Sequence, residues 1–384
     1  MRLPKGCGAM SGKVVKLCRS LYGLKQASRQ WHHHLLRGMR GLGFEQCEAD
    51  ACVTRLRKEW AVSIVVVLIV HVDDIFAMGL QSRCDKFCED LNQFAPINNL
   101  GELRWYAGCR FSRDWDAGTL TISHRVFAED VVAKFGVTRG KCSPIVVGLK
   151  LHAFDEDEPD VDEPFRSLVG HLMWLANQTR PDILNAVRAV ARYSAAPKLL
   201  HWRAALHIVM YLKSTSTYGI TFQRGLSSGV QLELYVDADY GHQTNDRRSV
   251  SGGVVMCAGA CVLFYSRTQK CITLSTTEAE YVAMATGIRE TIFMRYVWSF
   301  IIPDRDVGCT TVKEDNIGAI HLAKNPVTTP NSKHIDVRHH FLRERVANGE
   351  FNIVHVSSGD QHADFLTKAF NWTRRKRFVF TVTL

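Results

Sequence analysis

Apolar and polar positions along this chain follow two periodicities, one typical of strands and one typical of helices. The apolar run 61–70, rich in β-branched residues, predicts a buried strand, and the shorter run 75–78 predicts its partner in a hairpin. Asp73 and Asp74 fall at the bend between these two strands. Apolar positions three and four residues apart predict a helix on each side of the hairpin, at 29–41 and at 84–94.

The middle of the chain changes from an acidic segment to a helical one. Seven acidic residues and two prolines lie between Asp155 and Pro164, which predicts a solvated linker over 151–164. Calcium binding is the alternative, but the segment lacks the glycine and the ligand spacing of an EF-hand loop. From 165 to 228, apolar residues at helical spacing predict a helical connection.

Beyond residue 229 short strands and helices alternate. This pattern predicts a mixed α/β domain over 229–370 and a basic tail over 371–384, after a first domain over 1–150. The fold class is therefore a mixture of α+β and α/β. The predicted strands are 231–236, 252–257, 260–265, 307–312 and 351–356, and the predicted helices are 278–298, 316–323 and 336–348.

Composition restricts the partners more than the fold. The 384 residues suffice for two or three domains, and 48 basic against 38 acidic residues give a net charge of +10, which favours polyanionic partners such as nucleic acid. The 12 cysteines include no CxxC pair, which favours a reducing intracellular compartment, cytoplasm or nucleus. A zinc site on Cys84 and Cys88 or on Cys257 and Cys261 is less favoured than buried thiols.

Membrane and secretory segments are not indicated by the pattern. The longest aliphatic run, 64–70, is too short to span a bilayer. The first residues carry charge but no apolar core after it. We therefore expect neither a transmembrane segment nor a signal peptide.

Four acidic residues stand where predicted strands end or predicted helices begin. Asp237 and Asp315 follow strands, Glu278 opens a long helix, and Asp364 lies near the start of the last one. Strand ends and helix starts of one small α/β sheet tend to converge on an edge where clefts form. Four converging carboxylates need cations to stay ionised together, and two Mg²⁺ ions about 3.5–4 Å apart would suit phosphodiester hydrolysis.

Each of these acids also has a structural interpretation. Glu278 is the kind of charge that a helix start favours, with Ser275 or Thr276 as the N-cap. Asp315 is compatible with a turn. Taken singly, each acid is better explained by its structural role than by metal ligation.

The order of several motifs resembles one protein family. The segment 16–27, with Trp31 after it, resembles a reverse-transcriptase segment of copia-type LTR retrotransposon Pol proteins, and His71-Val-Asp-Asp74 is similar to their Tyr-Val-Asp-Asp hairpin. Other segments that resemble these proteins are 101–108, 165–170, 179–183 and 201–205 after the palm, and 236–240, 275–281, 314–316, 332–341 and 360–368 in their ribonuclease H domain.

The resemblance implies a partial reverse-transcriptase palm with a helical connection, followed by a ribonuclease H-like α/β domain. It implies that Asp237, Glu278, Asp315 and Asp364 hold Mg²⁺ or Mn²⁺ in a two-metal site that cuts the RNA strand of an RNA–DNA hybrid. The joint match of all four favours this role over the separate structural ones. Glu314 departs from the family, which tends to be uncharged at that position.

The same resemblance implies a polymerase site and nucleic-acid contacts. Asp73 and Asp74 would hold Mg²⁺ against an incoming triphosphate. The residues expected to contact an RNA template or a hybrid are Gln26, Lys333, His334, Arg338 and Arg343. A solvated helix face is the alternative for the basic stretch.

Polymerase activity is not expected from this chain alone. The family's third palm aspartate and its fingers lie upstream of the segment that 21–26 resembles. Other Pol or Gag products of the element are expected partners. Two other interpretations stay open: a catalytically inactive or domesticated remnant that binds nucleic acid, and a structural module whose helices scaffold a partner.

Overall fold

The computed structural model divides the chain into two compact units. The first comprises Met1–Leu103 and Phe300–Asp304, and the second Arg104–Ser299 and Arg305–Leu384. Residues described are 2–18, 20–21, 23–58, 61–149, 151–153, 161–225, 231–241, 247–303, 307–324 and 333–369, with side chains for all of these except 58, 61–65 and 333–339. Most of the predicted linker, 154–160, and the predicted basic tail lie outside these ranges.

A four-stranded antiparallel sheet forms the centre of the first unit, with its strands in sequence order. The buried side chains of Leu35, Met39, Leu68 and Leu91 form a core between this sheet and two helices. Its elements are α1 (Ala27–Gly41), β1 (Phe44–Gln46), β2 (Val53–Lys58), β3 (Ala61–His71), β4 (Asp74–Gly79) and α2 (Gln81–Phe94). The hairpin and both flanking helices predicted from the sequence are therefore present.

The second unit begins with a small antiparallel sheet and four helices. The sheet has the order β5-β6-β7-β8, and β8 follows the four helices in the sequence. These elements are β5 (Trp105–Tyr106), β6 (Cys109–Asp114), β7 (Thr119–Ser123), α3 (Arg125–Lys134), α4 (Phe165–Gln178), α5 (Pro181–Ala191), α6 (Leu199–Ser214) and β8 (Ile220–Gln223).

The boundary between the units differs from the predicted one. It lies at Leu103 and Arg104 rather than in the acidic segment 151–164. Helix α3 packs its buried Ala128 and Val131 into the same core as α4, α5 and α6, so the residues before the acidic segment belong to the second unit.

The rest of the second unit is built on a mixed five-stranded sheet in the order β11-β10-β9-β12-β13. Strands β9, β10 and β11 are antiparallel, whereas β12 runs parallel to both β9 and β13. These elements are β9 (Leu232–Asp239), β10 (Val250–Cys257), β11 (Ala260–Thr268), α7 (Thr276–Ile301), β12 (Thr310–Glu314), α8 (Ile317–Lys324), α9 (Lys333–Ala347) and β13 (Phe351–His355). The mixed α/β class expected from the sequence is confirmed.

Alternate residues of this sheet face two different cores, as the pleat of a strand requires. Leu234 and Val236 pack with α7, and Tyr235 packs with the connection helices. Gly287 lets α7 approach closely, because a Cβ built there would lie 2.7 Å from Val236 Cγ1. The first turns of α7 are thereby held against the end of β9.

No helix in the described part of the chain is both long enough and apolar enough to cross a membrane.

Candidate metal centre

Three carboxylates from three elements meet at one edge of the five-stranded sheet. They belong to Asp237 in β9, Glu280 in α7 and Asp315 directly after β12, and one oxygen of each lies within 4.8 Å of the others. Parallel pairing of β12 with β9 aligns Lys313 with Tyr235, so two further residues along this register bring Asp315 beside Asp237. Strand register and helix docking therefore assemble the site.

The glutamate in this group is Glu280, and the sequence-based choice of Glu278 has to be corrected. Glu278 Oε2 accepts a hydrogen bond from the Leu274 amide at 2.7 Å, and the Glu278 amide donates to Ser275 Oγ at 3.1 Å. Ser275 Oγ therefore caps the start of α7, and the Glu278 carboxylate binds the amide of the residue before this N-cap, a variant of the capping box. Two residues along a helix correspond to a rotation of about 200°, which directs Glu280 toward the sheet instead.

A sequence signal for this correction exists. Ser275 and Glu278 have the Ser-x-x-Glu spacing of a capping box, which marks Glu278 as the helix-start residue. Glu278 therefore has the structural role given above, and the carboxylate that joins the cluster is that of Glu280, two residues later.

Burial dominates the electrostatics of the cluster. Asp237 is fully buried and Glu280 is 7% exposed. Burial, and then the neighbouring carboxylates of Glu314 and Asp237, raise the pKa of Glu280 far above its usual range. Glu280 Oε2 has no hydrogen-bond partner within the described residues. Such a group favours an added cation, because the carboxylates cannot all be ionised without one.

Glu314 is a fifth acidic residue at this edge, and its role was not foreseen. Its side chain is fully buried, and burial raises its pKa although the Asn316 amide donates to Glu314 Oε1 at 2.9 Å. Glu314 Oε2 lacks a partner among the described residues. The departure from the resembled family thus adds a buried carboxyl group beside the cluster.

Asp364 is linked to the cluster through a lysine. Lys368 Nζ lies 2.9 Å from Asp237 Oδ1 and 3.2 Å from Asp364 Oδ1, and the Thr367 hydroxyl donates to the other oxygen of Asp237. Burial raises the pKa of Asp237, and Lys368 opposes that effect. Burial would lower the pKa of Lys368, but the charges of Asp237 and Asp364 outweigh it and raise that pKa.

Two polar side chains orient the elements that carry the carboxylates. Gln361 is buried, and its Nε2 donates to the carbonyls of Val236 at 2.8 Å and Lys313 at 3.3 Å, which ties β9 to β12 next to the cluster. Ser358 Oγ donates to Asp315 Oδ2 at 2.7 Å. Nothing in the sequence pattern distinguishes Gln361 from a surface glutamine.

The donor set fits a divalent cation of the Mg²⁺ or Mn²⁺ type. Such ions take oxygen ligands at about 2.1 Å, which places neighbouring ligand oxygens about 3–4 Å apart. The oxygens of the cluster lie within 4.8 Å of one another, near this spacing, and the orphaned Glu280 Oε2 supplies an unused acceptor. Within the described ranges this is the one group of three or more acidic, histidine or cysteine side chains that could hold a metal ion.

The predicted polymerase carboxylates lie in a tight hairpin turn of the first unit. Asp73 and Asp74 are both exposed, and His71 pairs with Asp74 across the turn. Val72 adopts a φ of 56°, and Trp31 Nε1 donates to the Val72 carbonyl at 2.8 Å. No third metal-binding side chain joins them among the residues that the structure describes.

The expected nucleic-acid contacts have different placements. Arg343 Nε and Nη2 donate to the Leu322 carbonyl at 3.2 and 3.1 Å, so its guanidinium binds the end of α8. Gln26 is exposed just before α1 and makes no capping bond there. The side chains of Lys333, His334 and Arg338 lie outside the described set, although the backbone of α9 is helical.

Comparisons with known proteins cover both units. Residues 1–147 match the family model described as reverse transcriptase (RNA-dependent DNA polymerase). The retrovirus-related Pol polyprotein from transposon TNT 1-94 of Nicotiana tabacum is 32% identical over 96% of this chain, and the chain spans 28% of that relative's length.

Solved structures extend the comparison to the fold. The foamy viral protease-reverse transcriptase in complex with double-stranded DNA has a TM-score of 0.51 and 12% identity, over 88% of this chain and 60% of that one. Ribonuclease H1 from Halobacterium salinarum matches 36% of this chain and 94% of its own at 16% identity and a TM-score of 0.28. The first of these likenesses shows a shared reverse-transcriptase fold.

Proposed function

Because the chain belongs to the Pol polyprotein family of copia-type retrotransposons, we propose that its second unit hydrolyses the RNA strand of RNA–DNA hybrids with Mg²⁺ or Mn²⁺. The observation that carries this proposal is the cluster of Asp237, Glu280 and Asp315, with its unpaired and buried Glu280 oxygen. The chain spans only 28% of the length of the Nicotiana tabacum relative. The proposal therefore rests on the carboxylates of this chain and not on the activity of the whole polyprotein.

The residues of the cluster have separable tasks. Asp237 and Glu280, which are buried, hold the cation position inside the edge of the sheet, and Asp315 lies at its more open side. Asp364 completes the negative rim across Lys368. Two divalent ions bound there would supply a water of lowered pKa and stabilise the charge that develops on the scissile phosphate.

Substrate recognition is proposed to depend on backbone shape and on the 2′-hydroxyl. A hybrid differs from a DNA duplex by the 2′-hydroxyls of one strand, and such helices are recognised largely through backbone contacts. Lys333, His334 and Arg338 at the start of α9 are proposed phosphate contacts. Arg343 is not included, because its guanidinium donates to the Leu322 carbonyl.

The proposal is tested by cleavage of a hybrid with a 5′-labelled RNA strand in Mg²⁺ or Mn²⁺. We expect endonucleolytic products from the hybrid and none from the all-DNA duplex or from single-stranded RNA. Asp315→Asn and Glu280→Gln should lower cleavage by at least about a hundredfold, whereas Glu278→Gln should cleave normally because glutamine can also accept the hydrogen bond at the helix start.

Two outcomes would contradict the proposal. If the wild-type chain and Asp315→Asn were equally inert, while hybrid binding persisted and weakened steeply with salt, the chain would be a nucleic-acid-binding remnant without chemistry. If cleavage survived in EDTA or in Glu280→Gln, the carboxylate cluster would not be the catalytic site.

We also propose that the first unit does not polymerise DNA processively by itself. Among the described residues, no third metal-binding side chain lies close to Asp73 and Asp74. Primer extension on an RNA template with Mg²⁺ or Mn²⁺ should give no long product. Processive extension that disappeared in Asp73→Asn would overturn this part and assign the site.

A further inference from the structure

We propose that Lys368 is a resident counter-cation of the metal centre, which one divalent ion must displace before the site is fully loaded. This inference rests on the proposed metal-dependent function. It assigns to Lys368 the role of setting the metal affinity, and through it the divalent-ion concentration at which the site becomes competent.

The position of the ammonium group supports competition with a metal ion. Lys368 Nζ lies 2.9 Å from Asp237 Oδ1 and 3.2 Å from Asp364 Oδ1, so it bridges two carboxylates that would otherwise face each other. An ion that ligates Asp237 Oδ1 has to approach the same oxygen. Two cations at one carboxylate oxygen repel each other, and water is excluded from the buried side of Asp237.

Lys368 is also able to leave. Its side chain is 45% exposed, whereas that of Asp237 is not exposed at all. A lysine ammonium is a compact point charge on a flexible four-carbon stem, so it can turn into solvent without moving the backbone. Thr367 donates to the second oxygen of Asp237, which keeps that carboxylate in place when the lysine departs.

The charges around the site explain why a counter-cation is needed before a metal binds. Asp237, Glu280 and Asp315 converge, and Glu314 is fully buried beside them. Among the described residues, Lys368 is the one cation that forms an ion pair with a carboxylate of this group. Without metal, its removal should leave the carboxylates less well compensated and the folded protein less stable.

The test is a titration of the whole chain with Mg²⁺, and separately with Mn²⁺, by calorimetry and by thermal unfolding. Lys368→Gln removes the charge, Lys368→Arg keeps it, and Lys86→Gln is the matched control. Lys86 also bonds an aspartate four residues away, with Nζ 3.1 Å from Asp90 Oδ1. Thermal midpoints followed against metal concentration give an apparent affinity even for a destabilised variant.

We expect Lys368→Gln to bind the ion about tenfold more tightly than wild type, equivalent to about 1.4 kcal/mol. We also expect this variant to have a lower thermal midpoint than wild type in EDTA, and its midpoint to rise more than that of wild type when metal is added. Lys368→Arg and Lys86→Gln should keep the wild-type affinity. Equal or weaker binding by Lys368→Gln would overturn the inference.

Failure of this inference is distinguishable from failure of the proposed function. If wild type binds neither Mg²⁺ nor Mn²⁺ and Asp237→Asn changes nothing, the metal centre itself is refuted. If wild type binds the ion and Asp237→Asn abolishes binding, while Lys368→Gln leaves the affinity unchanged, then only the role of Lys368 is refuted.

Discussion

Glu278 and Glu280 are separated by a single residue, yet their side chains lie on opposite sides of the first turns of α7. Glu278 accepts a hydrogen bond from the Leu274 amide at 2.7 Å, whereas Glu280 lies with Asp237 and Asp315 at the edge of the sheet. One carboxylate therefore stabilises the start of α7, and the other belongs to the candidate metal centre.

This relationship predicts that the same substitution, glutamate to glutamine, affects cleavage at Glu280 but not at Glu278. Glu280→Gln should lower hybrid cleavage by at least about a hundredfold, since the loss of even an outer-shell partner of a metal typically costs 10–100-fold. It should also weaken Mg²⁺ binding in calorimetry. Glu278→Gln should retain cleavage and metal affinity.

The matched variant Glu278→Ala separates capping from ligation. It should lower the free energy of unfolding by about 1 kcal/mol through loss of the hydrogen bond from the Leu274 amide, with little change in metal affinity. If Glu278→Ala instead removed metal binding and Glu280→Gln did not, the assignment of the two glutamates would have to be reversed.

Gln361 provides a second prediction, about the tie between β9 and β12. Gln361→Leu removes the donor shared by the Val236 and Lys313 carbonyls, both of which immediately precede residues at this edge. Leaving buried carbonyls unpaired should lower the free energy of unfolding by about 1–3 kcal/mol, measured by urea denaturation. Metal affinity should fall as well, because Asp237 follows Val236 directly.

Thr291→Val is the control for Gln361→Leu. Thr291 is buried in α7, and its hydroxyl donates to the Gly287 carbonyl at 2.8 Å within the same helix. This substitution should leave metal affinity unchanged. If Gln361→Leu lowered stability without any effect on metal binding, Gln361 would be a purely structural residue.

The turn that carries Asp73 and Asp74 leads to a third prediction. Val72 has a φ of 56°, a conformation that costs a residue other than glycine about 1–2 kcal/mol. Val72→Gly should therefore stabilise the chain by up to about 1 kcal/mol after the entropy of glycine is counted, measured by urea unfolding. Strain of this kind is often kept next to functional residues.

Val126→Gly is the matched control for this turn. Val126 is an exposed valine within α3, where its replacement by glycine costs roughly 0.3–0.5 kcal/mol in helix propensity. The two substitutions should thus shift the unfolding midpoint in opposite directions. Destabilisation by Val72→Gly would show that the valine side chain contributes more than the left-handed backbone costs.

A fourth prediction concerns the pH dependence of the second unit. His124 is buried, with Nδ1 3.0 Å from Thr179 Oγ1, and burial lowers its pKa from 6.5. A histidine whose pKa is lower in the folded state contributes full stability above pH 6.5, which is lost as the pH falls, since the unfolded chain then binds the proton more readily.

The thermal unfolding midpoint should accordingly decrease as the pH is lowered from 7 to 5. His124→Gln removes the titrating ring and should make this decrease shallower, and a pKa difference of one unit corresponds to about 1.4 kcal/mol. His207, whose pKa burial also lowers, should act in the same direction. An unchanged slope in His124→Gln would contradict this assignment.

Periodicity was sufficient to predict most of the elements that carry the site. The strand before Asp237, the strand before Asp315 and the long helix that holds Glu280 are all present within a few residues of their predicted limits. Hydrophobic burial sets these patterns, so they are visible in a single sequence.

What the sequence could not provide is the set of contacts that depend on three-dimensional register. Lys368 and Gln361 reach partners more than a hundred residues away, and no local pattern marks them. The choice between Glu278 and Glu280 is different, because the Ser-x-x-Glu spacing of Ser275 and Glu278 already marks Glu278 as the helix-start residue. The boundary at Leu103 depended on α3 packing with helices beyond the acidic segment.

The helices that cover one face of the five-stranded sheet determine which part of the gene can encode a stably folded domain. Tyr235, Val254 and Met256 pack against the connection helices, and Arg188 of α5 bonds Ser266 of β11 at 3.1 Å. A gene fragment that began after these helices would encode a sheet with one apolar face in water. A gene fragment that a genome could copy, fuse to another gene and still express as a folded domain therefore includes the connection.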